Sequence, residues 1–123
     1  MTDYNRPVEP VNQSLTHLAL EAIGKELRQG APYEKVGKNS RSLVRSQALS
    51  MVLMALKTGS QLKEHHAPGP ATAIVLEGEI AFSSGQDEQL LKSHESVVFS
   101  ADLEHGLRAC QDSLVLLIIG GKE

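Results

Sequence analysis

The sequence has no tryptophan, and its two tyrosines and two phenylalanines make up only 3% of the 123 residues. Its core must therefore be mainly aliphatic, drawn from a hydrophobic content of 41%. The single cysteine, Cys110, excludes an intramolecular disulfide and is compatible with a reducing compartment. The sequence has neither an apolar run of membrane-spanning length nor a basic-then-apolar secretion signal. We therefore expect one cytoplasmic domain without a membrane partner.

Charge is divided unevenly along the chain, although the net value is only −3. Residues 1–60 carry 8 Lys/Arg and 5 Asp/Glu, whereas residues 61–123 carry 4 and 10. The segment from Lys35 to Arg45 contains four basic residues and no acidic residue. Such a segment is typical of an edge strand protected from aggregation, and it could alternatively form an anion-binding rim. An acidic chain with so few stacking residues does not favour nucleic acid binding.

The N-terminal third of the sequence predicts an arm and one helix. Pro7 and Pro10 favour an extended arm over residues 1–12. Apolar residues at helical spacing predict an amphipathic helix over residues 13–29, capped by Asn12 or Ser14. A polar connection over 31–40 follows, with Pro32 taken as part of the helix stop. We predict that residues 1–40 pack on a domain formed by residues 41–123.

From residue 41 onward the hydrophobic period changes to two, which is typical of strands. Short runs separated by turn signals predict an antiparallel sandwich or barrel. The run 48–57 is apolar on both faces, so each face should be covered, one by the barrel interior and the other by the N-terminal helix or a second subunit. The predicted strands are 42–45, 48–57, 61–66, 71–76, 79–83, 89–92, 96–99, 105–110 and 113–119.

The stretch from Gly59 to Gly78 resembles the first motif of the cupin family, which has Gly, five residues, His-x-His, a glutamate and a closing Gly. Aligned on Gly59, the ligand positions of that motif hold His65, Ala67 and Ala71. The motif allows three or four residues between its second histidine and its glutamate. Aligned with the four-residue spacing, its two histidine positions hold Glu64 and His66, and the glutamate is still absent. The tract H-H-A-P-G-P-A-T-A-I-V-L-E-G-E is similar to that of small bacterial RmlC-like cupins with incomplete ligand sets.

The second cupin motif keeps only its histidine in this sequence. Counted back from His105, the other motif positions hold His94, Ser100, Asp102 and Ala109. The resemblance covers about Leu43 to Ile119 and implies an all-β fold, the double-stranded β-helix or jelly-roll barrel, with one N-terminal helix. It also implies a homodimer.

Two sets of histidines could meet in such a barrel, because adjacent residues of a regular strand point to opposite faces. If His65 faces inward, it meets His105 without a third ligand. If His66 faces inward, then Glu64, His66 and His105 could form a two-histidine, one-carboxylate metal site. We expect no bound metal or other cofactor, with this second set as the alternative.

Small apolar side chains on the predicted strands could line a pocket together with the histidines. Ala71, Ala73 and Val75 share one face, and His105 and Leu107 share another. These faces could enclose a mostly apolar ligand pocket with histidine anchors, or simply allow close packing of the sheets. Three functions follow as hypotheses: binding of an unidentified small molecule without metal, a metal-dependent dioxygenase or isomerase, and a dimeric interaction module.

Overall fold

The computed structural model describes Pro7 and residues 15–121. Two short helices precede nine antiparallel strands, and each predicted strand is present. Neither helix is long and apolar enough to cross a membrane within these residues. The elements are α1 Leu20–Gln29, α2 Ala31–Val36, β1 Lys38–Arg45, β2 Leu49–Leu56, β3 Gln61–His65, β4 Ala71–Glu77, β5 Glu79–Ser84, β6 Asp87–Lys92, β7 Ser96–Phe99, β8 His105–Ala109 and β9 Ser113–Gly120.

The strands form two sheets that face each other as a jelly roll. One sheet has the order β1-β2-β9-β4-β7, and the other has the order β3-β8-β5-β6. Consecutive strands β4 and β5 lie in different sheets, so the chain crosses between sheets at Gly78. The predicted all-β jelly-roll class is confirmed.

An inner core fills the space between the two sheets. Its residues alternate along each strand with residues that face outward, as the pleat of a strand requires. The buried members of this inner core are Met54, Leu56, Ala67, Ala71, Ala73, Val75, Ile80, Phe82, Leu91, Phe99, Leu107, Ala109 and Val115.

An outer core lies between the helices and the five-stranded sheet. On β2, Met54 and Leu56 point into the barrel, whereas Leu53 and Ala55 lie in the outer core. Both α1 and α2 contribute to it, through Ile23, Leu27 and Tyr33. The N-terminal helices therefore cover the second apolar face of β2, which was one of the two covers expected from the sequence.

The helical region differs from its prediction at both ends. Residues 15–19 are not helical, and Leu15 is 99% exposed. A short helix gains most of its stability from packing, so α1 begins at Leu20, where its apolar stripe meets the sheet. The predicted helix residues 13 and 14, and the proposed caps Asn12 and Ser14, lie outside the described residues.

The predicted polar connection 31–40 contains helix α2 and the start of β1. Pro32 lies in the first turn of α2, where a missing N–H removes no helical hydrogen bond. Tyr33 is buried in the outer core, and Gly37 ends the helix with a φ of 81°. Strand β1 already begins at Lys38, so it crosses the boundary predicted between residues 40 and 41.

Candidate functional site at the histidine pair

A β-bulge in β3 decides which histidine faces the barrel. Leu62 pairs with Leu107 and His65 pairs with His105, so Lys63 and Glu64 together lie opposite a single residue, Gly106. The extra residue places Leu62 and His65 on the same face although they are three apart. The structure thus brings His65 to His105, whereas His66 follows the end of the strand; both His65 and His66 are exposed.

Glycine at position 106 makes room for this bulge. A Cβ at Gly106 would lie 2.8 Å from the Leu62 carbonyl oxygen and 3.3 Å from Glu64 Cγ. Since His105 and Leu107 point inward, that Cβ would point outward, and Glu64 therefore lies on the outer side of the sheet. A glycine inside a strand often marks a bulge, so Gly106 is the sequence signal that could have identified His65.

The two imidazole rings are in contact at the edge of the barrel interior, with their planes tilted relative to each other. Their centroids are 4.4 Å apart at an interplanar angle of 53°. His65 Nδ1 lies 2.8 Å from the Lys63 carbonyl oxygen, and His105 Nδ1 lies 3.2 Å from that of Leu103. A carbonyl oxygen only accepts, so each Nδ1 donates, and Nε2 is the nitrogen of each ring that can accept when the ring is neutral. Within the described residues, neither Nε2 has a hydrogen-bond partner.

Both phenylalanines of the protein pack around His105. The Phe82 ring stacks on the imidazole at 5.6 Å and 8°, and the Phe99 ring lies 4.4 Å from it. His105 is only 3% exposed. This burial lowers the pKa of His105, and the nearby imidazoles of His65 and His66 lower it further, whereas the hydrogen bond that His105 donates to the Leu103 carbonyl oxygen opposes the shift. His105 is therefore held as a neutral ring near pH 7.

The other predicted pocket residues all lie in the inner core. Ala71, Ala73, Val75 and Leu107 are buried there. Sequence reasoning missed Phe82 and Phe99, which occupy the space that the alanines leave. Ala71 pairs directly with Phe99 across β4 and β7, so a small residue in one strand is matched by a large one in its neighbour.

The site has fewer metal-ligating side chains than a usual metal centre. The described residues contain no group of three His, Cys, Asp or Glu side chains placed to hold a metal ion. The alternative set of Glu64, His66 and His105 is not assembled, because the bulge turns Glu64 outward. His65 and His105 supply two imidazoles, whereas catalytic sites usually provide three protein ligands. The residues of this site therefore do not provide the ligands that a catalytic metal ion in this fold would need.

Comparison with known families assigns the fold to a family. The model of the cupin domain matches residues 52–120, which is more than half of the chain. The chain belongs to the cupin family. The matched region runs from β2 to β9 and includes the whole histidine site.

Several solved structures resemble this cupin. A conserved protein of unknown function from Streptococcus pyogenes has a TM-score of 0.69 and 22% identity, over 99% of this chain and 97% of that one. An RmlC-like cupin from Desulfovibrio desulfuricans has a TM-score of 0.70 and 23% identity, over 88% of this chain and 97% of that one. Similarity at this level of identity shows the fold alone.

A nearer match in sequence covers less of the other protein. The cupin 2 conserved barrel domain protein from Leptotrichia buccalis is 30% identical with a TM-score of 0.67, over 72% of this chain and 43% of that one. A search of curated proteins found no significant match.

Proposed function

We propose that this cupin binds a small organic molecule at the histidine pair, without a catalytic metal. The observation that supports this most directly is the pair of Nε2 acceptors close to the rings of Phe82 and Phe99. Hydrogen bonds to backbone carbonyls fix both rings, so neither acceptor has to be reoriented when a ligand arrives.

The chemistry of the pair indicates a ligand class. An imidazole Nε2 that carries no proton recognises donors such as a hydroxyl, an amine or an amide N–H. Phe82 and Phe99 are buried against His105 and make the surroundings of the pair apolar. A mostly apolar site with a few fixed polar groups is the usual design of a small-molecule site. The expected ligand is an uncharged molecule with an apolar body and one or two hydrogen-bond donors.

Thermal-shift screening of small alcohols, amides and polyols against tag-free protein tests this function. A compound that binds at the pair should raise the Tm of the wild type. The His105→Ala variant should bind it at least about tenfold more weakly, because a buried acceptor and a stacking surface are lost together. The matched control is His17→Ala, since His17 is an exposed histidine outside the barrel. Equal binding by His105→Ala and His17→Ala would contradict the proposal.

Metal analysis separates this proposal from the metal-dependent alternative. Mass spectrometry of tag-free protein should find far less than one metal ion per chain. A content of about one ion per chain that is lost in His105→Ala and retained in His17→Ala would favour a metal-dependent enzyme instead.

We further propose that the protein acts as a homodimer in the bacterial cytoplasm. Val98 on edge strand β7 is 81% exposed on the outer face of the five-stranded sheet, beside Thr72 of β4. The helices cover the β1 and β2 end of this face, and Val98 lies at the other end. A bacterial origin is supported by the sources of the similar structures, and a reducing compartment by the single cysteine.

Sedimentation velocity checks the dimer. The wild type should sediment as twice the 13.3 kDa chain, and Val98→Asp should shift it toward the monomer, since a charge would be buried in the interface. The control is Leu90→Asp on β6, which is 51% exposed on the other sheet. A wild-type monomer at micromolar concentration would contradict the proposal.

A further inference from the structure

A second opening lies where edge strands β1 and β3 face each other. These strands belong to different sheets and are not paired, which leaves a cleft between them. The cleft has a volume of about 340 Å³, toward the lower end of the range for small-molecule sites. Neither histidine of the pair lines it. Its lining residues include Val36, Lys38, Ser40, Met54, Leu56 and Leu62.

The walls of this cleft are mainly apolar, and its polar lining residues are Lys38, Asn39 and Ser40. Met54 and Leu56 form its buried floor, with exposures of 7% and 1%. Leu62 contributes from β3, and Val36 of α2 is 64% exposed at the rim. An apolar ligand would remove the Val36 side chain from water, and this burial would favour ligand binding.

Lys38 provides the positive charge of the cleft. It pairs with Leu56 across β1 and β2, so both side chains lie on the inner face of the sheet. Its Nζ donates to the Gln61 carbonyl oxygen at 2.8 Å and so links the two edge strands. An ammonium has three donors, and this bond uses one of them.

No carboxylate neutralises this ammonium within residues 15–121. The two ion pairs found there join Arg28 to Glu77 and Arg41 to Glu26, so Lys38 is in neither. The segment from Lys35 to Arg45 also contains no acidic residue. A partly buried cation beside apolar walls therefore has donors available for an anion from outside the protein.

We propose that this cleft binds a small monocarboxylate with an apolar body, with Lys38 as its charge partner. The carboxylate would accept from the Lys38 ammonium while the Gln61 bond is kept, and the apolar body would lie against Met54, Leu56 and Leu62. A single lysine is a compact point charge without the fork that arginine offers. Among the residues that line the cleft, Lys38 alone is charged, and its single positive charge suits a monoanion better than a phosphate dianion.

Titration of the protein with hexanoate, followed by amide chemical shifts, tests this site. Hexanoate should perturb amides of β1, β3 and α2, and inorganic phosphate and hexylammonium should not. The Lys38→Met variant, which keeps the apolar stem, should bind hexanoate at least about tenfold more weakly. Lys38→Arg keeps the charge and should remain within a few fold of the wild type.

The matched control is Lys92→Met, because Lys92 is an exposed lysine on β6. It should bind hexanoate like the wild type. The proposal is overturned if Lys38→Met binds as well as Lys92→Met, if hexylammonium competes with hexanoate, or if hexanoate perturbs only residues around His105. Absence of any hexanoate binding to the wild type would overturn it as well.

Discussion

A Phe99→Ala variant is expected to lose about 3–5 kcal/mol of its free energy of unfolding, the usual cost of deleting a buried aromatic ring. Phe99 is 6% exposed, and its ring lies 5.1 Å from that of Phe82 and 4.4 Å from that of His105. The small residue Ala71 lies opposite it in β4 and cannot fill the space left behind. Urea denaturation of the variant and the wild type measures the loss.

The same substitution should change the titration of His105. Burial is the main cause that lowers its pKa, so removing a ring that shields it should move the pKa up toward its ordinary value. A two-dimensional NMR titration of the imidazole protons measures this shift. Phe99→Leu is the control, because it keeps much of the apolar volume and should cost only about 1–2 kcal/mol. A loss below about 1 kcal/mol for Phe99→Ala, with an unchanged His105 pKa, would mean that Phe99 does not shield the site.

A Gly78→Ala variant is expected to lose about 4 kcal/mol or more, which is exceptional for one methyl group. Gly78 has a φ of 90°, where L residues are strained. An added Cβ would also collide with the Asp112 carbonyl oxygen and with Ser113, and it would lie 2.8 Å from Ser113 Cα. These are mostly backbone atoms of the turn before β9 and cannot move aside cheaply. Thermal and urea unfolding measure the loss.

Gly59→Ala is a closely matched control for this effect. Gly59 has a φ of 89°, yet a Cβ there would meet nothing within 4 Å. Its cost should therefore be the backbone strain alone, about 1–2 kcal/mol. The difference between the two variants isolates the collision. If both variants lose the same amount, the close approach of Gly78 to the β8–β9 turn does not occur in solution.

The alternation of apolar and polar residues, together with turn signals, was sufficient to predict all nine strands. Periodicity and turn signals are local properties, so they can be read without knowing which strands are neighbours. The same local pattern predicted that the strand at residues 48–57 needs a cover on each face. The observed β2 has Leu53 under the helices and Leu56 inside the barrel.

The predicted pocket residues required both local and distant information. Ala71, Ala73 and Val75 alternate correctly along β4, and all three lie in the inner core. Their neighbours could not be identified from that pattern. Phe99 reaches Ala71 through β4–β7 pairing, and Phe82 reaches His105 because β5 lies beside β8.

The sequence by itself thus determined the strands, the two-faced β2 and the small side chains of the barrel, because each depends on residue spacing within one strand. Only the tertiary structure decided that His65 rather than His66 meets His105. Alternation along β3 is broken by a bulge, and the bulge has room because Gly106 lies opposite it on β8, more than forty residues away. A change of one residue in register reverses the face of every side chain that follows, so the chemistry of the site depends on this one pairing.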